Sequence, residues 1–298
     1  MLKRAPDWHP ALAEAIRELD GPLFAPALAR ALRQVAPYDY TVVFGYRGED
    51  RPLDLYDDFG ARIRDIFVTV YQAGPYLLDP FFHASRGNVT PGLYRMRDLA
   101  PDRFYQSEYY RSYYGQTGLT EEIGFFLATG DGARVVISLM RAGHSPAFSA
   151  RDMAQLHAVA PVAIAAAERH WRGLARRFDS APEAPSADAA LRRAFAAFGR
   201  HRLTPREGEV VALVLRGHSS DAIAGALRIA PGTVKIHRRN IYAKLGIGSQ
   251  AELFSMFLAS LSGRDKPLAR RPGRRTMGAK ETSDETVRQG PQRADRRL

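Results

Sequence analysis

The stretch "APGTVKIHRRNIYAKLG", Ala230 to Gly246, decides how the last third of this 298-residue chain folds. Val234, Ile241 and Leu245 recur at i, i+7 and i+11, which sets them on one face of a helix. Lys235, Ile236 and Arg239 fall on the opposite face near the helix start. Five cationic or potentially cationic side chains lie within the stretch. One face is suited to a core and the other to an acidic surface.

Working outward, each neighbouring segment carries its own helix punctuation. "LTPREGEVVALVLRG" (Leu203 to Gly217) offers Thr204 as N-cap, Pro205 at the first helical position, Glu207 at the capping-box position and Gly217 as the closing glycine. "SSDAIAGALRI" is a helix of barely two turns, entered through Ser219 or Ser220. Arg228, Ile229 and Ala230 then turn the chain into the opening stretch. "GSQAELFSMF" starts a fourth helix through Ser249 and Glu252. A short helix, a tight turn and a longer basic helix make a helix-turn-helix. Its apolar face is expected to pack on Val210, Val214, Ile223, Ala224 and Leu227. Its outer face then has the geometry of a reader in a DNA major groove. Lys235 and Arg239 suit guanine edges and Ile236 suits a thymine methyl. Thr233, Arg238, Asn240 and Lys244 flank that face and are assigned to phosphates.

Taken in order and without gaps, "LTPREGEVVALVLRG", "AIAGALRIAPGTVKIHRRNIYAKLGI" and "SQAEL" resemble the DNA-binding domain of the LuxR/GerE family of transcriptional regulators. The resemblance implies a four-helix domain that binds double-stranded DNA as a homodimer, with the fourth helix pairing with the partner's. It also implies RNA polymerase as a partner. Three residues depart from the family pattern. Ala230 stands where a capping Ser is usual, Gly208 replaces a longer side chain inside the first helix, and Gln250 replaces a common Arg. The first two cost about 1 kcal/mol each at most. None removes the basic face, which spans the expected recognition helix 232–245.

The charge distribution agrees with a polyanion partner. The chain carries a formal net charge of +11, yet residues 1–199 balance 23 basic against 23 acidic side chains. The excess lies in residues 200–261, with 9 against 4, and in residues 263–298, with 11 against 5. Such segregation suits nucleic acid or an anionic surface. Residues 263–298 are Arg-rich and nearly devoid of apolar residues, and are expected to be a disordered basic tail. Cysteine is absent, which excludes disulfides and thiol chemistry. No apolar run approaches the ~20 residues of a membrane span, and "MLKRAPDWHP" lacks a signal-peptide core. The expectation is a cytoplasmic protein with no membrane partner.

Residues 1–178 are expected to form an α+β sensory or dimerisation domain, followed by a linker and connecting helix over 179–199, the helix-turn-helix domain over 200–262, and the tail. Two helices are expected within 10–35, broken at Gly21-Pro22 and Pro26. Strands are expected at Tyr40 to Gly48 and Pro52 to Gly60, and a hairpin around Gly130, Asp131 and Gly132. Residues 101–114 read as helical. Ser149 with Asp152 opens a helix running to about Phe178. "DSAPEAPSAD" (Asp179 to Asp188) is the linker. Helices flanking an antiparallel sheet suit either a GAF- or PAS-like sensor or the α-β-α sandwich that binds acyl-homoserine lactones in one branch of the resembled family.

That branch pairs W-x-x-x-Y with a later D-P. Here Phe67 and Tyr71 stand at the first spacing and Asp79-Pro80 follows. Asp79 offers an acceptor for a ligand N–H, while Phe67 lacks the donor of a tryptophan. Phe67, Tyr71 and Asp79 are therefore the candidate pocket for a small-molecule ligand. The family's phosphoacceptor receiver domain is disfavoured, because residues 1–199 hold a single lysine, Lys3. A P-loop is absent. A catalytic reading finds no G-x-S-x-G or H-E-x-x-H, and His83, His144, His157 and His170 lack metal-ligand spacing. No enzyme activity, cofactor or metal is expected. A ligand-independent regulator whose first domain only dimerises or binds protein stays open on the sequence.

Overall fold

The computed structural model describes residues 8–180, except 49, 88, 113 and 117, together with 198 and 202–261. The expected tail lies outside these residues, as does nearly all of the linker and connecting helix. Helices α1 (His9–Arg17) and α2 (Phe24–Val35) precede strands β1 (Tyr40–Tyr46) and β2 (Leu53–Asp57). A short α3 (Ala61–Arg64) runs on as a π-helical turn, Asp65–Val70. Then come α4 (Pro80–Arg86), β3 (Gly92–Arg95), α5 (Met96–Leu99), α6 (Glu108–Ser112), the strands β4 (Leu119–Ala128) and β5 (Arg134–Ala142), α7 (Ala150–His170) and α8 (Ala175–Asp179). The C-terminal bundle is α9 (Pro205–Arg216), α10 (Ser220–Leu227), α11 (Pro231–Leu245) and α12 (Gln250–Leu261).

The five strands form one antiparallel sheet in the order β2-β1-β5-β4-β3. Strand periodicity of two sends alternate side chains to opposite faces, and here both faces are covered. Val43, Phe125, Val135, Ile137 and Leu139 join the buried cluster of α1, α2 and α7. Val42, Phe44, Tyr46, Phe126, Val136 and Met140 join a second cluster with the segment between β2 and β4. The result is an α-β-α sandwich followed by a helical bundle. Gly124 of β4 makes the second layer tight: a Cβ there would lie 2.8 Å from the Phe81 ring.

Several sequence expectations need correction. The helix opened by Ser149, whose capping box with Asp152 is present, stops at His170. Trp171 and Gly173 turn the chain before α8. Residues 101–114 are not one helix but a 3-10 turn, the short α6 and the start of a second 3-10 turn, wrapped round a cluster of aromatic rings. Strand β3 was not expected. The recognition helix begins at Pro231, one residue before the expected 232.

Candidate functional site

The bundle is held by local capping and a shared core. Thr204 and Glu207 form a reciprocal capping box at α9, and Gly217 closes that helix in the left-handed region at φ 92°. Ser219 caps α10 through the N–H of Ala222. Ala230 gives α11 no side-chain cap. Val234, Ile241 and Leu245 are buried with Val210, Val214, Ile223 and Ala224, and Leu227 packs against the same cluster. This inner packing orients the helix, so its other face must point outward.

Lys235, Ile236 and Arg239 are all exposed on that outer face. Ile236 is 50% exposed and adds an apolar side chain to that outer face. Thr233 is half-buried beside them and Asn240 is exposed. Two of the residues assigned to phosphates have other partners. Arg238 donates to Gln250 Oε1 at 3.1 Å and to the phenol oxygen of Tyr242 at 3.4 Å, and the first of these ties α11 to α12. Lys244 Nζ lies 2.7 and 2.8 Å from the two carboxylate oxygens of Glu207. Lys244 thus pairs with the carboxylate of the α9 capping box and ties α11 to α9. Glu207 is held below the usual carboxylate range; its burial acts upward, but Lys244 and the Thr204 donors outweigh it. At the fourth helix, Ser249 accepts the Glu252 N–H, while Glu252 accepts the Gly248 N–H.

The second candidate is a small cavity in the sandwich. Phe67, Tyr71 and Asp79 all line it, each buried, so the structure brings the three sequence candidates together. Phe67 comes from the π-helical turn, and Tyr71 follows directly after it. Asp79 is the N-cap of α4. One Asp79 oxygen accepts the Phe81 N–H at 2.8 Å and the other accepts the Tyr71 hydroxyl at 2.5 Å. Tyr46 and Tyr71 share a hydrogen bond of 3.2 Å.

Sequence reasoning missed the far wall, made by Tyr46, Tyr114, Glu122 and Ser138. Glu122 accepts the Tyr114 hydroxyl at 2.8 Å and a hydrogen bond from Ser138. Burial pushes the Glu122 carboxyl up to about 8, and the facing Asp79 pushes the same way. Burial raises Asp79 to about 6 against the pull of its Tyr71 and Phe81 donors. The signal for Glu122 was its period of two with Gly124 and Phe126, which puts it on a buried face. The free space is about 20 Å³ measured at the centre of a water-sized sphere, room for little more than one water.

Among the described residues, no cluster of His, Cys, Asp or Glu is placed to hold a metal ion. No described helix is long and apolar enough to cross a membrane.

Comparison with known proteins matches residues 201–257 to the model of bacterial regulatory proteins of the luxR family. Over 186 residues the chain is 35% identical to an HTH-type regulator from the exeN 3′ region of Aeromonas salmonicida, covering 61% of this chain and 94% of that one. Among solved structures, the VqsR LBD domain from Pseudomonas aeruginosa is 28% identical, with a TM-score of 0.48, over 55% of this chain and 97% of that chain. SdiA from Escherichia coli is 17% identical, with a TM-score of 0.40, over 86% of this chain and 97% of that chain. With a helix-turn-helix whose outer face is basic and a relative matched across nearly its whole length, the chain belongs to the luxR family of bacterial regulatory proteins: it is a DNA-binding transcriptional regulator.

Proposed function

We propose that this regulator binds an inverted-repeat operator as a homodimer, with α11 in the major groove of each half-site and half-sites about one helical turn apart. Lys235, Ile236 and Arg239 read base edges, and Thr233 and Asn240 meet phosphates. Arg238 and Lys244, each with N–H donors beyond those bound to Gln250 and Glu207, meet phosphates as well. The observation that carries this reading is the outer face of α11, which exposes two cations and an isoleucine while the inner face is locked into the bundle core. Ile236 between the two cations gives that face an apolar group suited to a thymine methyl. The regulator acts in the cytoplasm, and RNA polymerase is its expected partner by family. A small molecule taken into the cavity around Asp79 modulates it.

The test is a binding selection on randomised half-sites. Arg239→Ala should cost about 1–3 kcal/mol and relax preference at one position. Retention of the wild-type preference with a mere loss of affinity would make Arg239 a backbone contact.

A further inference from the structure

The sensor cavity is acidic and has no cation of its own. Of its ten described lining residues, two are carboxylic acids and none is Lys, Arg or His. Asp79 and Glu122 are 5% and 6% exposed. Their partners are hydroxyls and one backbone N–H, all neutral donors. Buried carboxylates are ordinarily paired with a positive charge. Around them stand the rings of Phe44, Tyr46, Phe67 and Tyr71, whose faces attract cations.

We propose that the cavity recognises a ligand bearing a protonated primary amine on a short apolar body, its ammonium held between Asp79 and Glu122. The proposal rests on the small-molecule reading above and names its ligand class. An ammonium has three donors and no acceptor, which suits a site already supplied with carboxylate oxygens. The free space takes the ammonium head alone, so the apolar body enters by displacing the Phe44, Phe67 and Met140 side chains that wall the cavity.

Binding has a proton balance. At neutral pH the Glu122 carboxyl keeps its proton, because burial and the facing Asp79 oppose its ionisation. An arriving ammonium replaces that proton, which leaves to solvent. The other groups facing Glu122 stay neutral: the Tyr46, Tyr71 and Tyr114 phenols are all raised well above their ordinary range, chiefly by burial, and Ser138 does not titrate. A primary alkylamine stays charged until about pH 10. Affinity should therefore rise up to about tenfold per pH unit from roughly pH 6 to 8 and level off above.

The experiment uses the full-length protein, calorimetric titration and thermal melts, with n-butylammonium, n-butanol, butyrate and N-butylacetamide as probes at pH 6, 7 and 8. The expected result is binding by n-butylammonium alone, tightening as pH rises. Glu122→Gln should weaken it at pH 8 by about tenfold or more and remove the pH dependence between pH 7 and 8, leaving only a shallow rise near pH 6 from Asp79. If that variant does not fold, Ser138→Ala, which removes a donor to the Glu122 carboxylate, should move the pH midpoint of binding upward. Binding of N-butylacetamide in place of the ammonium overturns the charge assignment and leaves a small-molecule sensor standing. Ammonium binding that ignores pH, or no binding by any of the four at millimolar concentration, also overturns the proposal. Operator affinity measured on the same samples reports separately on DNA binding.

Discussion

At the scale of single residues, two buried glutamates give opposite pH signatures. Glu122 takes its proton more tightly in the folded state than its ordinary value of 4.5, with burial as the main cause. Between about pH 4.5 and 8 the folded chain therefore binds more protons than the unfolded chain, and stability falls as pH rises through that window. Asp79 adds the same sign from its ordinary 3.8 up to about 6. Glu122→Gln should flatten much of this slope and stabilise the protein at pH 8 by up to a few kcal/mol. Melts from pH 5 to 9 check it; a wild-type midpoint that does not fall across that range speaks against a buried carboxyl. Glu207 is shifted down, so its contribution is present above about pH 4.5 and is lost as pH falls through the folded value. Lys244→Ala should cost about 1 kcal/mol at neutral pH, since the pair is half-exposed on the lysine side. The difference from wild type should shrink in strong acid, once pH has fallen through the folded value and Glu207 takes up its proton. An equal penalty at both pH values would mean that Lys244 stabilises by packing alone.

At the scale of elements, the bundle shows one helix less well started than its neighbours. α9 has a capping box and α10 a serine cap, whereas α11 enters through Ala230 with only backbone bonds, such as Thr233 N–H to Ala230 O at 2.9 Å. Ala230→Ser should add about 1 kcal/mol. Gly208, inside α9 with open space around its would-be Cβ, should give about as much on replacement by Ala. Both variants should melt higher with unchanged operator preference; a shift in preference would place Ala230 in the DNA contact. These features were legible in the sequence because capping is local chemistry: a Thr, a Glu three residues on, and a Gly at the end suffice. The cavity was half legible. Phe67, Tyr71 and Asp79 sit within one short segment, but Glu122 and Ser138 come from strands that only the sheet register brings beside them. A glutamate on a strand reads as solvent-facing until both faces of the sheet prove to be covered. Strand β3 has four residues and no apolar run, too little to announce itself. The aromatic spacing of 101–114 mimics a helical period, yet ring packing sets that path. Lys244 meets Glu207 across 37 residues, a distance no local pattern spans.

At the scale of the whole molecule, the sandwich and the bundle touch through that same aromatic segment. The Arg103 N–H donates to the Gly217 carbonyl at 3.0 Å, and the Ser219 N–H donates to Asp102 at 3.0 Å. Burial acts upward on Asp102, but the hydrogen bonds from Ser219 prevail and hold its carboxyl below the usual range. The segment that makes these contacts ends near Tyr114, which packs edge-on to Phe104 and donates to Glu122 in the cavity. One run of chain thus meets the cavity at one end and the turn between α9 and α10 at the other. Gly217 reports on this contact. It needs a positive φ as the C-cap of α9, and a Cβ there would lie 2.8 Å from the Phe104 Cα, a backbone atom that cannot swing aside. In the full chain, Gly217→Ala carries both penalties: about 1 kcal/mol or more of backbone strain, and the displacement of the sandwich from the turn. In a 200–262 fragment, proposed to fold alone because its caps, core and basic face lie within it, only the strain remains. Denaturant unfolding of both forms should therefore show a larger loss in the full chain, along with a looser contact seen as faster amide exchange at Arg103 and Ser219. Equal losses in the two forms would mean that the contact between the sandwich and the bundle is not populated in solution.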